Sequence, residues 1–358
     1  MLRIGIIGLP ASGKTSLFQA LTGVEAEIGS GGKRTVHIGQ AKVADLRLDE
    51  LHRIFGPPRK VNAVVEYVDV AGITAGEARK AGFEGQFLGD IRSCDALLLV
   101  LRDFQTPGFP PADPRRDFRF VQEEFLLSDQ MILEKREQRV AKELQKNPRP
   151  ELKSEAMLLQ RCLADLEKAV PLRELELTPA EDEILRPYQL LTRKPQLVVL
   201  NIAEERISAM REATAGYLRE WSKPGIEIAA ACASLEKEIA QLDDRSAAQF
   251  MQDLGIQSSV LDRLIRASYQ LLGLISFFTV GKDECRAWTI RRGTTAQEAA
   301  GVVHSDMERG FIRAEVVSYA DFIPRGNFAA CRTDGVLRVE GKHYIVKDGD
   351  IIEFRFAV

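Results

Sequence analysis

The sequence predicts an α/β fold with a doubly wound, largely parallel sheet. Five short apolar runs have the length and composition of buried strands, namely residues 2–7, 64–70, 96–101, 196–201 and 226–230. Helical patterns lie between them, for example over 81–93 and 203–221. Strands that alternate with helices are typical of this class. The first run leads directly into a glycine-rich octapeptide, which indicates where the fold binds its ligand.

That octapeptide, residues 8–15, reads Gly-Leu-Pro-Ala-Ser-Gly-Lys-Thr and fits G-x-x-x-x-G-K-[ST]. It lies between an apolar strand and an amphipathic helix, as a phosphate-binding loop requires. Its glycines let backbone N–H groups turn toward an anion, and the helix N-terminus adds its positive dipole end. A chance glycine-rich turn is the alternative. We expect a nucleoside triphosphate to contact Ala11, Ser12, Gly13, Lys14, Thr15 and Ser16.

Two of these side chains have chemical roles in such loops. Lys14 can reach the β- and γ-phosphates and is a predicted catalytic group, while the Thr15 hydroxyl can ligate Mg²⁺. Thr35, in a glycine-rich stretch, is the candidate for a second Mg²⁺ ligand that closes over the metal. The alternative for Thr35 is an ordinary surface threonine. The sequence therefore predicts Mg²⁺ as the cofactor.

A second motif follows the strand run 64–70, where residues 69–72 fit D-x-x-G. The Asp69 carboxylate can orient water on Mg²⁺, and the Gly72 N–H can meet the γ-phosphate, which makes Gly72 a second predicted catalytic group. Hydrolysis would remove that contact and release the segment. A plain turn between strand and loop is the alternative, and the preceding phosphate loop favours the functional interpretation.

The base-reading element is expected after the strand 196–201. Guanine readers usually present N-K-x-D, whereas this chain has Asn201, Ile202 and, in place of Asp, the longer Glu204. A Glu one methylene longer need not fit the same two guanine donors, and buried unpaired groups cost about 1–3 kcal/mol each. Guanine preference should be weak and adenine allowed. Cys232, Ala233 and Ser234, after the next strand, could back the base with main-chain N–H groups.

The rest of the chain divides into an insertion and a terminal domain. After a Pro- and Gly-rich loop, two helical stripes of apolar residues are broken by Asn-Pro-Arg-Pro at 147–150, which predicts an antiparallel helical hairpin. Beyond about residue 274, five short β-like runs surround one helix at 295–303. These runs are 277–280, 287–290, 313–318, 344–346 and 351–356. We therefore predict a sheet domain over 1–114 and 190–273, a hairpin over 115–189 and a small α+β domain over 274–358.

Composition excludes several classes of protein. The 358 residues carry a net charge of −3, so no global nucleic-acid signature exists. Five scattered cysteines without C-x-x-C spacing indicate reduced thiols and argue against zinc. No apolar stretch approaches the roughly 20 residues of a membrane span, and no cationic leader precedes the first strand. We expect a cytoplasmic protein, monomeric and without a membrane partner.

With these motifs in order, the chain resembles the YchF family, the Obg-like ATPases within the translation-factor class of P-loop NTPases. The resemblance covers essentially the whole length. It rests on the octapeptide, on D-x-x-G with residues 86–92, on the N-x-x-E form at 201–204, and on terminal segments similar to the family's TGS domain. Those segments are 278–281, 284–289, 310–315 and 344–350.

The resemblance implies a G-domain-type sheet with a coiled-coil insertion and a C-terminal TGS-like domain. It also implies hydrolysis of ATP as well as or better than GTP, and association with the ribosome through its large subunit or associated factors. RNA contact could come from Arg286, Arg291, Arg292 and Arg313, for which ordinary solvated charges are the alternative.

Three features bear on catalysis, of which the first is shared with the family and the other two depart from it. The resemblance implies that the polar residue that positions the attacking water after D-x-x-G is missing, and Ile73 stands in that place here, so intrinsic turnover should be slow. Ala11 replaces an Asn associated with monovalent-cation help, which puts potassium stimulation in doubt. The family's candidate catalytic His has no match; His37 could substitute, or it could simply lie on the surface.

The leading hypothesis is therefore a slow ATPase, with some GTPase activity, that acts as a nucleotide-dependent switch on the ribosome or its factors. The rival is a nucleotide-gated binding scaffold in which hydrolysis is incidental. A P-loop kinase that acts on a small molecule is a third hypothesis, and D-x-x-G, N-x-x-E and the terminal domain argue against it.

Overall fold

A computed structural model describes residues 2–25, 36–70, 86–253 and 259–357. The chain divides into two compact units. The first unit contains Met1–Gln40 and Glu66–Leu264, and the second contains Ala41–Val65 and Ile265–Val358. Within the described residues, no helix combines the length and the apolar character that a bilayer crossing demands.

Twelve strands and fourteen helices are described. The strands are β1 Arg3–Ile7, β2 His37–Lys42, β3 Arg59–Val61, β4 Val64–Asp69, β5 Ala96–Asp103, β6 Gln196–Ile202, β7 Ile226–Ala231, β8 Leu274–Val280, β9 Glu284–Arg291, β10 Phe311–Ser318, β11 Arg338–Glu340 and β12 Asp350–Phe356. The helices are α1 Lys14–Thr22, α2 Leu46–Phe55, α3 Gln86–Arg92, α4 Pro114–Lys146, α5 Pro150–Glu167, α6 Pro179–Leu185, α7 Met210–Trp221, α8 Ala233–Ala240, α9 Asp244–Asp253, α10 Val260–Leu271, α11 Ala296–Val303, α12 Ser305–Arg309, α13 Tyr319–Phe322 and α14 Phe328–Thr333.

The first unit is built on a sheet of order β2-β4-β1-β5-β6-β7. β1 pairs in parallel with β4 and β5, and β6 and β7 continue the parallel run. Every residue of β6 is buried, as expected of a strand covered on both faces. The predicted α/β class, with its helical insertion and C-terminal α+β domain, is confirmed. The carboxyl ends of β1, β4 and β6 carry the predicted site.

The insertion is a hairpin of two helices with a leucine-rich seam. α4 begins after Asp113, whose side chain accepts a hydrogen bond from the Arg116 N–H, with proline at the first helical position. α5 also begins with a proline. The seam buries residues from both helices and from the segment that follows them, namely Leu133, Val140, Leu158, Leu159, Cys162, Leu163, Leu166, Leu172, Leu185 and Leu190.

A buried ion pair attaches this hairpin to the sheet. Asp129 of α4 is fully buried and accepts hydrogen bonds from Arg92 at 3.0 Å, from the Leu191 N–H at 3.0 Å, and from the Thr192 N–H and hydroxyl at 2.7 and 2.8 Å. Arg92 ends α3 and also donates to the Ser128 hydroxyl. One carboxylate thus joins α3, α4 and the turn that leads into β6.

The second unit contains a sheet of order β11-β10-β12-β8-β9-β3. Its edge strand β3 comes from the N-terminal third of the chain and pairs in parallel with β9. α2 packs within the same unit, because Arg47 pairs with Asp348 at 2.7 Å and its guanidinium lies 5.2 Å from the centre of the Phe278 ring. Residues 41–65, which the sequence predicts as part of the 1–114 segment, therefore belong to the unit that holds the C-terminal strands.

Two predicted elements differ in the structure. Residues 344–346 form no strand, and only an isolated bridge joins Ile345 to Thr295. Thr295 is at the same time the N-cap of α11, in a capping box with Glu298. The predicted helix over 203–221 is interrupted, with a short 3₁₀ turn at Glu204–Arg206 before α7 begins at Met210.

We predict that Asp129→Ala lowers the free energy of unfolding by about 3–5 kcal/mol, because it removes the carboxylate that neutralises the Arg92 guanidinium and leaves the Leu191 and Thr192 N–H groups without their acceptor. Chemical denaturation measures the change. Glu134→Ala is the matched control on the same helix, since Glu134 is exposed and accepts a hydrogen bond from Gln130 at 2.9 Å. Equal effects of the two substitutions would contradict this account.

Candidate functional site

The phosphate-binding loop connects β1 to α1 and folds around a carbonyl of its own backbone. The Leu9 carbonyl accepts from the Lys14 ammonium at 3.0 Å and from the Ser12 N–H at 3.3 Å. α1 begins with the Leu17 N–H donating to the Gly13 carbonyl at 3.0 Å. Burial lowers the pKa of Lys14, and the neighbouring Asp69 carboxylate opposes that shift. The loop thus holds a cation and the N-terminus of a helix side by side, as anion binding requires.

Two residues of the loop adopt left-handed backbone conformations. Gly13 has φ 90°, and a side chain at this position would overlap the Asn201 amide nitrogen. Gly13 is therefore required for two independent reasons, backbone conformation and the close approach of Asn201. Ala11 has φ 60°, a conformation that costs a residue with a Cβ about 1–2 kcal/mol. The loop stores strain at Ala11 that glycine or asparagine would relieve.

The predicted metal ligands Thr15 and Asp69 lie side by side. The Thr15 hydroxyl donates to Asp69 Oδ2 at 3.0 Å, although the two residues are 54 positions apart. Burial raises the pKa of Asp69, while the Thr15 hydrogen bond and the Lys14 charge oppose that shift. A hydroxyl and a carboxylate beside a phosphate loop are the oxygen donors that Mg²⁺ prefers, so the residues present fit this ion. Thr35, the candidate for a second Mg²⁺ ligand, and Gly72, predicted to contact the γ-phosphate, lie outside the described residues, as does Ile73.

Asn201 joins the phosphate loop to the segment after β7. Its Nδ2 donates to the Ser12 carbonyl at 2.9 Å, and its Oδ1 accepts from the Ala233 N–H at 3.0 Å. The Ala233 N–H, expected to back the base, is therefore already engaged by a side chain. Only one hydrogen of Nδ2 remains for a ligand. Ile202 is 2% exposed and its side chain packs in the apolar core, which leaves its backbone to meet a ligand.

The two predicted base-reading side chains contact each other. The Ser234 hydroxyl, in the first turn of α8, donates to Glu204 Oε1 at 3.3 Å. Both residues are exposed. Asn201 lies near the end of β6, Glu204 follows β6, and Ser234 follows β7. Since these two strands are parallel neighbours, all three residues lie at the carboxyl end of the sheet. Sequence reasoning named Glu204 and Ser234 separately and did not foresee that they pair.

Sequence reasoning also missed Arg102 at this end of the sheet, and it did not foresee the contact of the Cys232 thiol. Arg102 is 5% exposed, stands opposite Asn201 in the β5–β6 register, and donates to the carbonyls of Phe104 and Pro110. The one indication of Arg102 in the sequence is a charged residue directly after the apolar run 96–101. Cys232, the N-cap of α8, lies with its sulfur 3.2 Å from the Ser234 hydroxyl. The sequence places Cys232 in the segment that could back the base, but it does not indicate that the thiol contacts Ser234.

Comparison with known proteins settles the family. Residues 274–357 match the family model YchF-GTPase_C, described as "Protein of unknown function (DUF933)", and residues 3–144 match MMR_HSR1, described as "50S ribosome-binding GTPase". The "Ribosome-binding ATPase YchF" of Bacillus subtilis (strain 168) is 38% identical over 365 residues, with all of both chains covered. The chain belongs to the YchF family.

Other members of the YchF family agree. The Escherichia coli O157:H7 protein, also named "Ribosome-binding ATPase YchF", is 38% identical over 368 residues and 99% of each chain. The solved structure of the Schizosaccharomyces pombe YchF GTPase superposes with a TM-score of 0.83 at 28% identity, covering 99% of this chain and 97% of that one. The YchF fold therefore extends over both units, including the segment that supplies α2 and β3.

We predict that Gly13→Ala abolishes nucleotide binding, because the added methyl would overlap Asn201 and force apart the phosphate loop and the segment after β7. Gly23→Ala is the matched control. Gly23 also has a left-handed backbone, φ 67°, but nothing lies within 4 Å of its would-be Cβ, so only stability should fall, by about 1–2 kcal/mol. Calorimetric titration with ADP and Mg²⁺, together with chemical denaturation, distinguishes the two effects. Retained affinity in Gly13→Ala would overturn this reading of the loop.

Proposed function

We propose that this chain is a Mg²⁺-dependent ATP hydrolase of low intrinsic turnover, with some GTPase activity and a weaker preference for guanine than guanine-specific switches have. We propose further that it acts as a nucleotide-dependent switch on the ribosome or its factors. The observation that carries the proposal is the Asn201 amide, which ties the phosphate loop to the segment that places Glu204 and Ser234. One side chain thus fixes the phosphate end of a ligand relative to its base end. The name of these relatives, "Ribosome-binding ATPase YchF", supports both the substrate and the partner.

In the proposed reaction, water adds to the γ-phosphorus, the bond to the bridging oxygen breaks, and ADP and phosphate leave. Lys14 provides positive charge beside the phosphates, and the N–H groups of the loop and of α1 bind their oxygens. Thr15 and Asp69 would hold Mg²⁺, which supplies charge neutralisation when bound. The side chain of Ile73 has no hydrogen-bonding group, so it can neither orient water nor stabilise charge. We therefore propose slow turnover in the absence of a partner.

The base preference follows from Glu204, which stands where the guanine-binding motif N-K-x-D has its Asp. Glu204 is one methylene longer than the usual Asp, and its Oε1 already accepts from Ser234. Two parallel guanine donors need both carboxylate oxygens free and correctly placed. Adenine needs fewer such contacts, which favours ATP as the substrate.

A binding scaffold that only senses the nucleotide is the second candidate, because Ile73 and the missing catalytic His argue for incidental hydrolysis. The two candidates share the nucleotide and differ in what the ribosome does to turnover. For a hydrolytic switch, the ribosome completes the catalytic site. For a scaffold, it leaves the rate unchanged.

We predict that single-turnover ATP cleavage by the purified chain is slow, is abolished by EDTA, and is accelerated at least tenfold by ribosomes. Lys14→Ala should lose both binding and cleavage, because the buried ammonium beside the loop is gone. Quench-flow with γ-labelled ATP measures the rates, and Lys153→Ala, on the exposed face of the hairpin region, serves as a surface-charge control. Tight retention of uncleaved ATP with no effect of ribosomes would support the scaffold instead.

We further predict that the chain hydrolyses ATP at equal rates in K⁺ and in Na⁺, because the Ala11 side chain offers no oxygen ligand to a monovalent cation. Ala11→Asn supplies such an oxygen and suits the left-handed backbone at this position, φ 60°. This variant should gain stimulation by K⁺ and lose none of its stability. Steady-state rates in matched chloride salts test the prediction. Potassium stimulation of the unmodified chain would contradict it.

A further inference from the structure

A row of three polar side chains lies at the amino end of β6, whereas the nucleotide site lies at the carboxyl ends of the strands. Arg173 belongs to a short 3₁₀ turn, Leu172–Glu174, and its guanidinium donates to the Thr192 carbonyl at 3.2 Å. The same guanidinium donates to Oε1 of Gln122, on α4, at 2.7 Å. Gln122 Nε2 in turn donates at 3.0 Å to Oε1 of Gln196, the first residue of β6. The row thus joins three elements of the first unit.

The hydrogen bonds in this row all run in one direction. A guanidinium only donates, so the oxygen of Gln122 must face Arg173 and its NH₂ group must face Gln196. The oxygen of Gln196 accepts from that group, which leaves the Gln196 NH₂ at the end of the row. Arg173 Nε and Gln196 Nε2 are both buried, and neither has a hydrogen-bond partner among the described residues. The row therefore has an unused donor at each end and lacks an acceptor.

The charge of Arg173 also lacks a partner. Two carboxylates, Glu174 and Asp129, act on it from a distance. Glu174 lies 3.8 Å from the Lys223 ammonium, and Asp129 pairs with Arg92 at 3.0 Å. Burial lowers the pKa of Arg173 to about 10, so the guanidinium keeps its charge at neutral pH. A buried charge without a counter-charge is costly, which favours the uptake of one negative charge.

The surroundings hold the guanidinium in place and leave one side open. Gln196 is fully buried, whereas Arg173 is half-buried, so an ion can enter from the side of Arg173. Gly225, directly before β7, lies against the stem of Arg173, and a Cβ added to it would be 3.4 Å from Arg173 Cδ. The stem is thus fixed between two turns. Its N–H groups are positioned before any ligand arrives.

We propose that the Arg173 guanidinium and the Gln196 amide bind one small monovalent inorganic anion, such as chloride, at the amino end of β6. One uncompensated positive charge requires one negative charge, and unused donors suit an ion that only accepts hydrogen bonds. A water molecule could accept from the same donors, but it would leave the charge uncompensated. The bound anion would stabilise the junction of α4, the 3₁₀ turn and β6. This site is independent of the proposed nucleotide function.

Chemical denaturation of the full chain tests the site in solution. Chloride replaces methanesulfonate, a bulkier anion of the same charge, at constant sodium concentration. An ion that binds only the folded chain should raise the folding equilibrium constant about tenfold when its concentration is about ten times its dissociation constant. Arg119→Gln, which removes an exposed charge from α4, is the control and should keep the full response to chloride.

Two substitutions at the site should remove that response. Arg173→Gln removes the positive charge. Gln196→Glu keeps the oxygen that accepts from Gln122 and replaces the unused NH₂ with a carboxylate oxygen, so the chain supplies the negative charge itself. Gln196→Glu should therefore fold at least as stably in methanesulfonate as the unmodified chain does, with no further gain from chloride. An equal response to chloride in both variants and in the unmodified chain would overturn the proposal.

Diffraction from crystals of the full chain grown in bromide locates the ion. We expect an anomalous peak within hydrogen-bond distance of Arg173 Nε and Gln196 Nε2, and no such peak in Gln196→Glu. A water molecule at this position, without an anomalous peak, would count against the proposal. So would a bromide peak without any effect of chloride in solution, which would show an adventitious ion only.

Discussion

The amide of Asn201 is the contact on which the candidate site depends. It is 4% exposed, and it bonds through both of its ends, to the Ser12 carbonyl and to the Ala233 N–H. These partners lie 189 and 32 positions away along the chain. The approach is so close that residue 13 must be glycine. A single side chain therefore sets the distance between the phosphate loop and the segment after β7, where we propose that the base binds. Strand β6, which is buried along its whole length, holds that side chain in place.

The same unit places a second buried polar group where its helices meet. Asp129 neutralises Arg92 and satisfies the turn that precedes β6, so the strand that carries Asn201 is fixed at both ends. Replacing such a pair with apolar residues is often neutral for stability, whereas removing one partner is costly. The pair therefore acts by fixing the positions of the elements that carry its two partners. It relates α3, which follows the D-x-x-G segment along the chain, to the first helix of the hairpin.

Much of the fold could be predicted because its signals are local. Buried parallel strands appear as apolar runs, and the five predicted strands of the first sheet match β1, β4, β5, β6 and β7 within two residues at each end. The segment 41–65 was not predicted to leave that unit. Its strand β3 has three residues, two of them exposed, and no short polar run signals pairing with a strand more than 200 positions away. At the site, motif spacing identified Lys14, Thr15, Asp69 and Asn201, but the bond between Ser234 and Glu204 depends on tertiary geometry that no spacing encodes.

The path of the chain explains why its C-terminal part should not be regarded as an appended module. An appendage needs one covalent crossing, whereas this chain crosses between its two units after residues 40, 65 and 264. The second unit takes its edge strand and α2 from the N-terminal third, and Phe55 of α2 stacks on Phe322 with ring centroids 5.4 Å apart. A fragment that begins at residue 274 would lack both elements and would expose the Phe278 and Phe322 faces they cover. Since β2 and β4 lead into and out of that excursion and β4 ends at Asp69, the predicted metal ligand lies four residues from the boundary of the second unit. The backbone itself therefore connects the nucleotide site to the C-terminal sheet.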